Sequence, residues 1–429
     1  MYRLEWIERR KLRATAPPFT NQVATVSPVV WKLGWTSFLT DISSEMVNSV
    51  LPVYLVIHLH LSPLQYGAID GVYNGLAVIL VSLAAGLTAD RSKRHKEVAM
   101  TGYGFSAICK LLLLAAGGVW GWLIVITGLD RIGKGIRTAP RDAMISLNTP
   151  PRLMASAFAV HRALDAGGAL LGPIIAFILL AQMSGAPEAF DVLWVTSFLF
   201  AILGVAALWL YVPRPKDSMF TQPHSDERKL SQRSLSALFA SRHFVALAGC
   251  GLLLSVGTAA DGFIYLIMLE KGGVNSGFLP LFYVATAASY ALFSIPAGLC
   301  ADRFGRGSIF LGGYAVLGGV YLLLLFMPTV GLPAQVGCLL LLGIYYAGTE
   351  GVLMAMASTA VPPEARASGL AVLATAIALG KMGSSLLFGW MWDAYGVRPT
   401  IVTFAAILMA ATLVAGFSLR VIGGKRSHA

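Results

Sequence analysis

Long apolar segments dominate this sequence of 429 residues. A helix needs roughly 20 mostly apolar residues to cross a bilayer, and short polar or Gly/Pro-containing breaks separate twelve such segments here. Soluble chains carry about a quarter charged residues, whereas this chain is 12% charged and 56% hydrophobic. These features exclude a soluble enzyme and predict an all-α membrane protein with twelve transmembrane helices. We place the spans, numbered one to twelve, near 30–58, 65–88, 97–117, 121–146, 153–181, 190–212, 243–269, 276–300, 307–327, 333–358, 366–390 and 398–420.

An internal repeat indicates that the spans form two halves. The sequence from Gly86 to Arg91 recurs from Gly298, and a second stretch recurs at the same offset of 212 residues, from Pro150 to Pro362. Two matches at one offset are typical of a duplicated unit, so we expect two pseudo-symmetric six-helix halves. The predicted organisation is an N-terminal arm (1–29), an N-terminal half (30–212), a linker (213–242), a C-terminal half (243–420) and a tail (421–429).

Basic residues predict how the chain is oriented. Lys and Arg total 32 against 21 Asp and Glu, and cytoplasmic loops of membrane proteins are enriched in Lys and Arg. The linker and the loops on its side hold most of these basic residues, whereas the outer loops hold Lys271 and Arg398. The first 29 residues are polar and basic, with no apolar core of a signal peptide. We therefore expect both termini to be cytoplasmic and the protein to reside in the inner or plasma membrane.

A repeated loop motif follows spans two and eight. Its members are Gly86, Asp90, Arg91 and Arg94 in the first copy and Gly298, Asp302, Arg303 and Arg306 in the second. The motif resembles the signature of the major facilitator superfamily, with Lys93 where a glycine is usual. The resemblance extends from about residue 30 to residue 420 and implies the twelve-helix fold of that family. It also implies that Asp90 contacts the start of span eleven and Asp302 the start of span five, as an inner gate. The alternative is that these are ordinary solvated loop charges.

Span five contains a second motif of small residues. Gly168, Gly172 and Pro173 form a Gly-x-x-x-Gly-Pro pattern, which is similar to one found in the exporter and antiporter branch of the same superfamily. Small residues four apart allow two helices to approach closely, and proline bends a helix. Purely structural packing is the alternative interpretation of this motif.

Ionisable residues inside the spans are the candidate site. Such a side chain costs about 2.5–3.5 kcal/mol at mid-membrane on insertion scales and therefore usually marks a function. Asp41, Glu45 and Asn48 form a polar stripe on span one, and Asp130 lies four residues before Lys134, where an internal ion pair could form. The candidate residues for coupling or the substrate cavity are Asp41, Glu45, Arg131, Lys134, Arg137, His161, Arg162, Asp165, Asp261, Glu350 and Lys381.

Two interpretations of these charges stay open. Arg131 and Gly135 resemble the superfamily's Arg-x-x-x-Gly motif, whose arginine is associated with proton coupling. The charges could instead neutralise one another in interhelical salt bridges without contacting a substrate, an interpretation that suits Asp130, Arg141 and Asp142 best. Asp165 could pair with either His161 or Arg162 by helical spacing.

The sequence contains no motif that indicates nucleotide hydrolysis, metal binding or catalysis. There is no Gly-rich phosphate loop ending in Gly-Lys-Ser/Thr, and the seven histidines and four cysteines show no metal-ligand spacing. No nucleophile, base and orienting group can be assembled. We therefore expect no enzyme activity, catalytic residue, cofactor, metal or nucleic-acid partner.

The sequence predicts a secondary active transporter that works by alternating access. We expect a proton-coupled exporter, an antiporter, that takes a small organic solute and acts as a monomer within membrane lipid. Two alternatives remain: a proton-coupled importer or uniporter of an organic anion, suggested by the basic face of span four, and a non-transporting receptor or assembly protein on the same fold.

Overall fold

A computed structural model describes residues 26–76, 94–150, 153–183, 186, 188–213, 241–327, 329, 331–361 and 366–424. These residues form helices and turns, with no strand among them. The α-helices are α1 (Pro28–Pro52), α2 (Pro63–Gly71), α3 (His95–Ala115), α4 (Trp120–Leu147), α5 (Met154–Gln182), α6 (Ala189–Tyr211), α7 (Arg242–Val256), α8 (Asp261–Gly272), α9 (Leu279–Phe304), α10 (Arg306–Phe326), α11 (Leu332–Ala360), α12 (Arg366–Tyr395) and α13 (Val397–Gly424).

Short connections make successive spans antiparallel. Gly305 alone separates α9 from α10 and Gly396 alone separates α12 from α13, with φ angles of 95° and 83°. Glycine adopts positive φ without the steric cost of a Cβ atom, so the chain reverses within one residue. We call the side where α6 ends and α7 begins the linker face, and the side where α1 ends and α2 begins the far face.

The helices form two bundles, one on each side of the linker. In the first bundle α1 packs against α5 and α6, and α3 packs against α4; in the second α9 and α10 pack against α11, and α7 packs against α12. Nine helices in the described part of the chain are long and apolar enough to cross a membrane. The long helices α1 and α4 are not among these nine, and both carry the charged side chains singled out above. The prediction of an all-α, twelve-span membrane fold is confirmed.

Span seven differs from its prediction. The sequence suggested one continuous apolar helix near 243–269, but the structure divides it into α7 and α8, with a break over residues 257–260. At a rise of about 1.5 Å per residue the two pieces are roughly 22 and 18 Å long, so the break lies near the middle of the bundle. Non-helical backbone at such depth is tolerated where it is buried in protein or lines a cavity.

Two neighbouring helices stabilise this break. The hydroxyl of Tyr321 on α10 accepts a hydrogen bond from the backbone N–H of Ala259 at 2.7 Å and donates one to the carbonyl of Gly257 at 3.0 Å. Ser384 on α12 donates to the carbonyl of Thr258 at 2.5 Å. Side chains thus replace the helical hydrogen bonds that the break removes.

Spans one and two contain wider helical turns. A π-helical segment, Val53–His58, follows Pro52 at the end of α1, and a second, Val72–Leu76, continues α2. Proline has no N–H to donate within a helix, and π-helical turns occur where the regular hydrogen-bond ladder is interrupted, often at functional sites. Both segments belong to the helices that face the second bundle.

A line of glycines joins the two bundles. Gly67, Gly71 and Gly75 lie four residues apart along α2 and its π-helical continuation, and we call their contact with α12 the far-face seam. A Cβ atom on Gly67 would lie 2.3 Å from the carbonyl oxygen of Ser385, and one on Gly75 would lie 2.5 Å from the Cβ of Met382. Only a residue without a side chain lets the helices approach this closely.

Further contacts close the bundle at the far face. The backbone N–H of Leu64 at the start of α2 donates to Asp393 Oδ2 near the end of α12 at 3.0 Å. Phe177 of α5 and Phe278, just before α9, place their ring centroids 5.3 Å apart. The two halves therefore touch where α2 begins and where α5 and α12 end.

Candidate functional site

Opposite charges on α1 and α4 face each other. The spacing of Lys134 and Arg137 places both on one face of α4, as Asp41 and Glu45 share one face of α1. Arg137 Nη2 lies 3.4 Å from Asp41 Oδ1, and Lys134 Nζ lies 3.8 Å from Glu45 Oε1. We call these residues, together with Arg141, His161 and Asp165, the charge network.

Arg141 extends the charge network towards α5. Its guanidinium donates to Ser37 Oγ at 3.0 Å and to Asp142 Oδ1 at 3.0 Å, and lies 3.9 Å from Asp165 Oδ2. His161 Nδ1 lies 3.8 Å from the same Asp165 oxygen. Of the two partners that helical spacing offered Asp165, the structure uses His161. Three helices therefore share one set of coupled charges.

Asp130 lies apart from the charge network. Lys110 of α3 approaches Asp130 Oδ1 at 2.7 Å, and Ser106 donates to the same oxygen at 2.5 Å. The ion pair with Lys134 that the sequence suggested is not formed, because Lys134 reaches across to α1 instead. Asp130 thus fastens α3 to α4.

Arg131 contacts an aromatic ring rather than an acid. Its guanidinium carbon lies 3.2 Å from the centroid of the Tyr73 ring, an arrangement in which the ring's negative face attracts a cation. Its Nε is buried with no hydrogen-bond partner among the described residues. Arg162, the other predicted arginine, is exposed. These two cations therefore stand outside the paired charges.

A cavity of about 140 Å³ lies between the two halves, at the break in span seven. It resembles a binding site, because concave sites with a few convergent polar groups are where small molecules bind. The polar side chains that line it come from α1, α2, α8, α9, α11 and α12. They are Asn48, Asp70, Asp261, Tyr283, Tyr346 and Lys381, and Thr258 of the break adds a seventh.

Hydrogen bonds hold the two acids of the cavity in place. Asp261, the first residue of α8, accepts a hydrogen bond from the Tyr346 hydroxyl at 2.7 Å. Asp70 of α2 accepts one from the Ser385 hydroxyl of α12 at 2.7 Å. The second bond crosses between the halves, so Asp70 belongs both to the cavity wall and to the contact that closes the far face.

Asn48 connects the cavity to the charge network. It lines the cavity, and its side-chain nitrogen donates to Glu45 Oε2 at 2.9 Å. Glu45 in turn faces Lys134. One hydrogen bond therefore connects the cavity wall to the charge network.

The small-residue motif of α5 packs on α1. A Cβ on Gly168 would lie 2.4 Å from the carbonyl oxygen of Phe38, and one on Gly172 would lie 2.6 Å from that of Ile42. Pro173 follows inside the same helix. The motif thus lets α5 and α1 approach until their backbones touch, which brings Asp165 of α5 into the charge network.

The loop motif is only partly within the described residues. Gly86, Asp90 and Arg91 lie outside them, and Arg94 is exposed at the start of α3. In the second copy, Gly298 and Arg303 are exposed on α9. Arg306 pairs with Asp302 at 3.3 Å and donates to the carbonyl of Ala355 at 3.4 Å. The role of Asp302 as a gate against the start of α5 stays a prediction.

Some residues that line the cavity were not among the candidates predicted from the sequence. Asp70 is ionisable and lies inside span two, so the criterion that selected the other charged residues would have found it. Tyr283 and Tyr346 carry no such signal, because tyrosines are common in membrane helices. Of the predicted C-terminal residues, Asp261 and Lys381 line the cavity, whereas Glu350 is exposed on α11.

Replacing Tyr321 with phenylalanine tests the support of the break. The substitution keeps the ring and removes the hydroxyl, leaving the N–H of Ala259 and the carbonyl of Gly257 without it. Leaving a buried polar group unsatisfied costs about 1–3 kcal/mol, so we expect the purified protein to unfold at a lower temperature by several degrees. Tyr290→Phe, at an exposed ring on α9, is the control. Equal unfolding temperatures for the two variants would contradict the role given to Tyr321.

Comparison with protein families gives a consistent match. The sequence model of the Major Facilitator Superfamily matches residues 33–380 and 263–427. A relative from Methanocaldococcus jannaschii, an uncharacterized MFS-type transporter, is 30% identical over 370 residues, covering 86% of this chain and 89% of the relative. The multidrug resistance protein MdtG of Enterobacter lignolyticus is 25% identical over 418 residues, covering 92% and 94%.

Solved structures show the same fold at low identity. A bacterial homologue of the human lysosomal transporter Spinster, in an inward-facing and unoccupied conformation, aligns with a TM-score of 0.75 at 17% identity, covering 94% of this chain and 98% of that one. The nucleoside transporter NupG aligns with a TM-score of 0.70 at 16% identity, covering 92% and 99%. Both likenesses concern the arrangement of the helices.

Proposed function

The chain belongs to the major facilitator superfamily, and on that premise we propose that it is a proton-coupled exporter, an antiporter, of a small organic solute. Its relatives and structural neighbours are transporters rather than enzymes, so the chain is a multi-pass membrane transporter. The observation that carries the proposal is the polar cavity between two halves that touch at the far face.

Alternating access follows from the position of this cavity. A solute bound there contacts both halves, while the far-face seam separates it from that side of the membrane. On the linker side, Arg162 of α5 and Glu350 of α11 are exposed, as expected for the side from which a solute enters. Rocking of the halves would part the seam and release the solute at the far face. The cavity lies within one chain, which supports a working monomer.

The charge network supports coupling to protons. Asp41 and Glu45 are carboxylates on α1, and Asp165 is a carboxylate on α5. Each of them faces a basic side chain. A carboxylate that loses its cationic partner as helices move takes up a proton more readily, because a nearby positive charge favours its ionised form. Asn48 links this network to the cavity. Protons moving inwards could thus be exchanged for a solute moving outwards.

Two observations favour export of a solute over the alternatives. Lys134, Arg137 and Arg141 each face an acid of the chain itself, so three of the four cations of α4 are paired and Arg131, over the Tyr73 ring, is the one left for an organic anion. The Gly-Pro motif of α5 resembles that of exporters and antiporters, and the Enterobacter relative is named a multidrug resistance protein. A receptor or assembly protein would have no use for a polar cavity between two halves.

Neutralising the carboxylates tests the coupling. We expect one of Asp41→Asn, Glu45→Gln and Asp165→Asn to abolish accumulation of solute in inside-out proteoliposomes under a pH gradient. The same variant should retain exchange at equal pH, since exchange needs the alternating motion and no net proton movement. A panel of labelled organic solutes identifies the substrate first. Asp191→Asn, at an exposed acid in the first turn of α6, is the control. Full proton-driven transport by all three variants would disprove coupling through the charge network.

We also propose that the protein resides in the inner or plasma membrane and that the linker face and both termini are cytoplasmic, because the basic residues lie on that side. Cys300 is partly exposed, so the test uses a Cys300→Ser background. An impermeant thiol reagent added to intact cells should label Arg398→Cys at least ten times more than Arg306→Cys. The reverse ratio would invert the orientation.

A further inference from the structure

Tyr103 of α3 lies against the charge network, although it carries no charge itself. We infer that Tyr103 is a positioning residue for proton coupling, whose ring holds Arg137 in place while Asp41 binds a proton. This role deepens the proposed function and rests on it, because Asp41 is one of the three acids assigned to the coupling there.

Arg137 of α4 is shared between an acid and an aromatic ring. Its Nη2 lies 3.4 Å from Asp41 Oδ1, whereas charge-assisted N–H···O bonds are usually about 2.7–2.9 Å long. Its guanidinium carbon lies 4.4 Å from the centroid of the Tyr103 ring, within the roughly 6 Å at which a ring's negative face attracts a cation. Arg137 is 2% exposed, and its Nε has no hydrogen-bond partner among the described residues. The carboxylate and the ring therefore stabilise this cation together.

Two glycines bring the Tyr103 ring to this position. A Cβ on Gly102 would lie 2.8 Å from the backbone nitrogen of Arg137, and one on Gly133 would lie 3.0 Å from the carbonyl oxygen of Gly102. The backbones of α3 and α4 thus touch directly beside Tyr103, which is 1% exposed. Enclosed side chains keep one rotamer in a close-packed interior. The ring therefore remains a partner of Arg137 whether Asp41 is charged or neutral.

Protonation of Asp41 changes the balance between these two partners. A neutral carboxyl attracts the guanidinium much less than a carboxylate does, and an ionised group that is buried without a partner is costly. The Tyr103 ring reduces this cost, because the attraction between a cation and a ring is stronger at desolvated positions. Without the ring, Arg137 would depend on Asp41 alone, and protonation of Asp41 would be less favourable.

The charges that surround Asp41 come from three helices. Glu45 shares its face of α1, and Arg131 and Lys134 of α4 and His161 of α5 interact with Asp41 electrostatically. Lys134 itself approaches Glu45. In the described part of the chain, the cation that forms an ion pair with Asp41 is Arg137. A change of charge at Asp41 therefore affects Arg137 most directly.

Other charges around Arg137 do not replace the ring. Arg131 and Lys134 repel it as like charges. Asp130 attracts it, but Asp130 is already bound to Lys110 at 2.7 Å. Of the two close contacts that the guanidinium makes, the one with the ring keeps its attraction when Asp41 is neutral.

The hydroxyl of Tyr103 makes a separate contact. It lies 3.4 Å from Ser37 Oγ, which also accepts a hydrogen bond from Arg141 at 3.0 Å. The ring and the hydroxyl thus act on different arginines. Substitutions that remove one and keep the other can therefore distinguish the two contacts.

Infrared titration of two variants tests the role of the ring. Protonation of Asp41 is followed in the detergent-purified full-length protein as the carboxylic C=O band that is missing from Asp41→Asn. We expect Tyr103→Leu, which removes the ring, to need about a tenfold higher proton concentration for half-protonation, a shift of about one pH unit. Tyr103→Phe, which keeps the ring and removes the hydroxyl, should titrate as the unmodified protein does. Tyr103→Met is a second variant without a ring, in case Tyr103→Leu does not fold.

Three results would overturn the role of the ring. They are an unchanged titration in the variants without a ring, an equal shift in Tyr103→Phe, and no Asp41 band at any pH at which the protein stays folded. Tyr314→Leu is the matched control, because it removes a buried ring of α10 that packs on Phe310. Its Asp41 band should titrate normally, and an equal shift there would also contradict the role given to Tyr103.

Transport assays separate the positioning role from the proposed function. In Tyr103→Leu, the pH of half-maximal proton-driven transport should move with the infrared titration. If that titration shifts as expected but the unmodified protein accumulates no solute under a pH gradient, the positioning role stands and the proposed function fails. If Asp41→Asn abolishes proton-driven accumulation while Tyr103→Leu changes neither the titration nor the pH profile, the coupling stands and the positioning role is wrong.

Discussion

Gly67→Leu is expected to reduce transport ten- to a hundred-fold while leaving the protein folded. A Cβ at this position would lie 2.3 Å from the carbonyl oxygen of Ser385 and 3.1 Å from its carbonyl carbon. These are backbone atoms of α12, which cannot rotate away as a side chain would. Overpacking of this kind costs about 1–3 kcal/mol, and each 1.4 kcal/mol changes an equilibrium about tenfold. The overpacking therefore destabilises the conformation in which the far-face seam is closed relative to the one in which it is open.

Two measurements check this prediction. Transport is measured in proteoliposomes with the substrate found in the solute panel, and opening of the far face is measured by labelling Ser385→Cys, at a buried position of the seam, with an impermeant thiol reagent. We expect Gly67→Leu to lower the transport rate and to raise the extent of thiol labelling. Gly104→Leu on α3 is the matched control, since nothing lies within 4 Å of a Cβ at that position. Normal turnover by Gly67→Leu would show that the seam does not need to close.

Lys110→Met is expected to have the largest effect on stability. The side chains of Lys110 and Asp130 are 2% and 8% exposed, and their charged atoms lie 2.7 Å apart. Removing one partner of a buried pair leaves an uncompensated charge and costs about 3–5 kcal/mol. Ser106 still donates to Asp130 in the variant, but one neutral hydrogen bond does not replace a cation. Most of the detergent-purified variant should unfold at temperatures where the unmodified protein is intact.

A double variant distinguishes loss of the pair from loss of packing. Replacing both partners of a buried ion pair by apolar residues is often neutral or stabilising, so Lys110→Met combined with Asp130→Leu should recover most of the lost stability. Thermal unfolding followed by tryptophan fluorescence measures all three proteins. Should the double variant be no more stable than Lys110→Met, the buried charge is not the cause.

The sequence predicted which helices carry the charges because helical periodicity is a local property. Asp41 and Glu45 four residues apart on α1, and Lys134 and Arg137 three apart on α4, must each share a face. The partner of Asp130 could not be predicted in the same way. Helical spacing points to Lys134, four residues further on, but Lys110 approaches from another helix, and that choice depends on how α3 packs.

The break in span seven escaped prediction for a different reason. Residues 257–260 are neutral and the sequence on both sides is mostly apolar apart from Asp261, so the hydrophobic pattern continues across the interruption. What permits the break is Tyr321, more than 60 residues further along the chain. Asp261 was selected from the sequence as a buried acid, yet its place at the start of a helix, beside Tyr346 and opposite Asp70, depends on tertiary structure.

The glycines of α2 also bear on how fast the transporter can work. Interlocked side chains must rotate past one another before two helices separate, and each rotation adds to the activation barrier. Gly67, Gly71 and Gly75 have no side chains to disengage, so α2 can leave α12 once hydrogen bonds such as those at Asp70 and Asp393 break. The same close approach that holds the far face shut therefore adds few kinetic obstacles of its own, and the half-life of the closed state depends on the polar contacts and on the ring contact of Phe177 with Phe278.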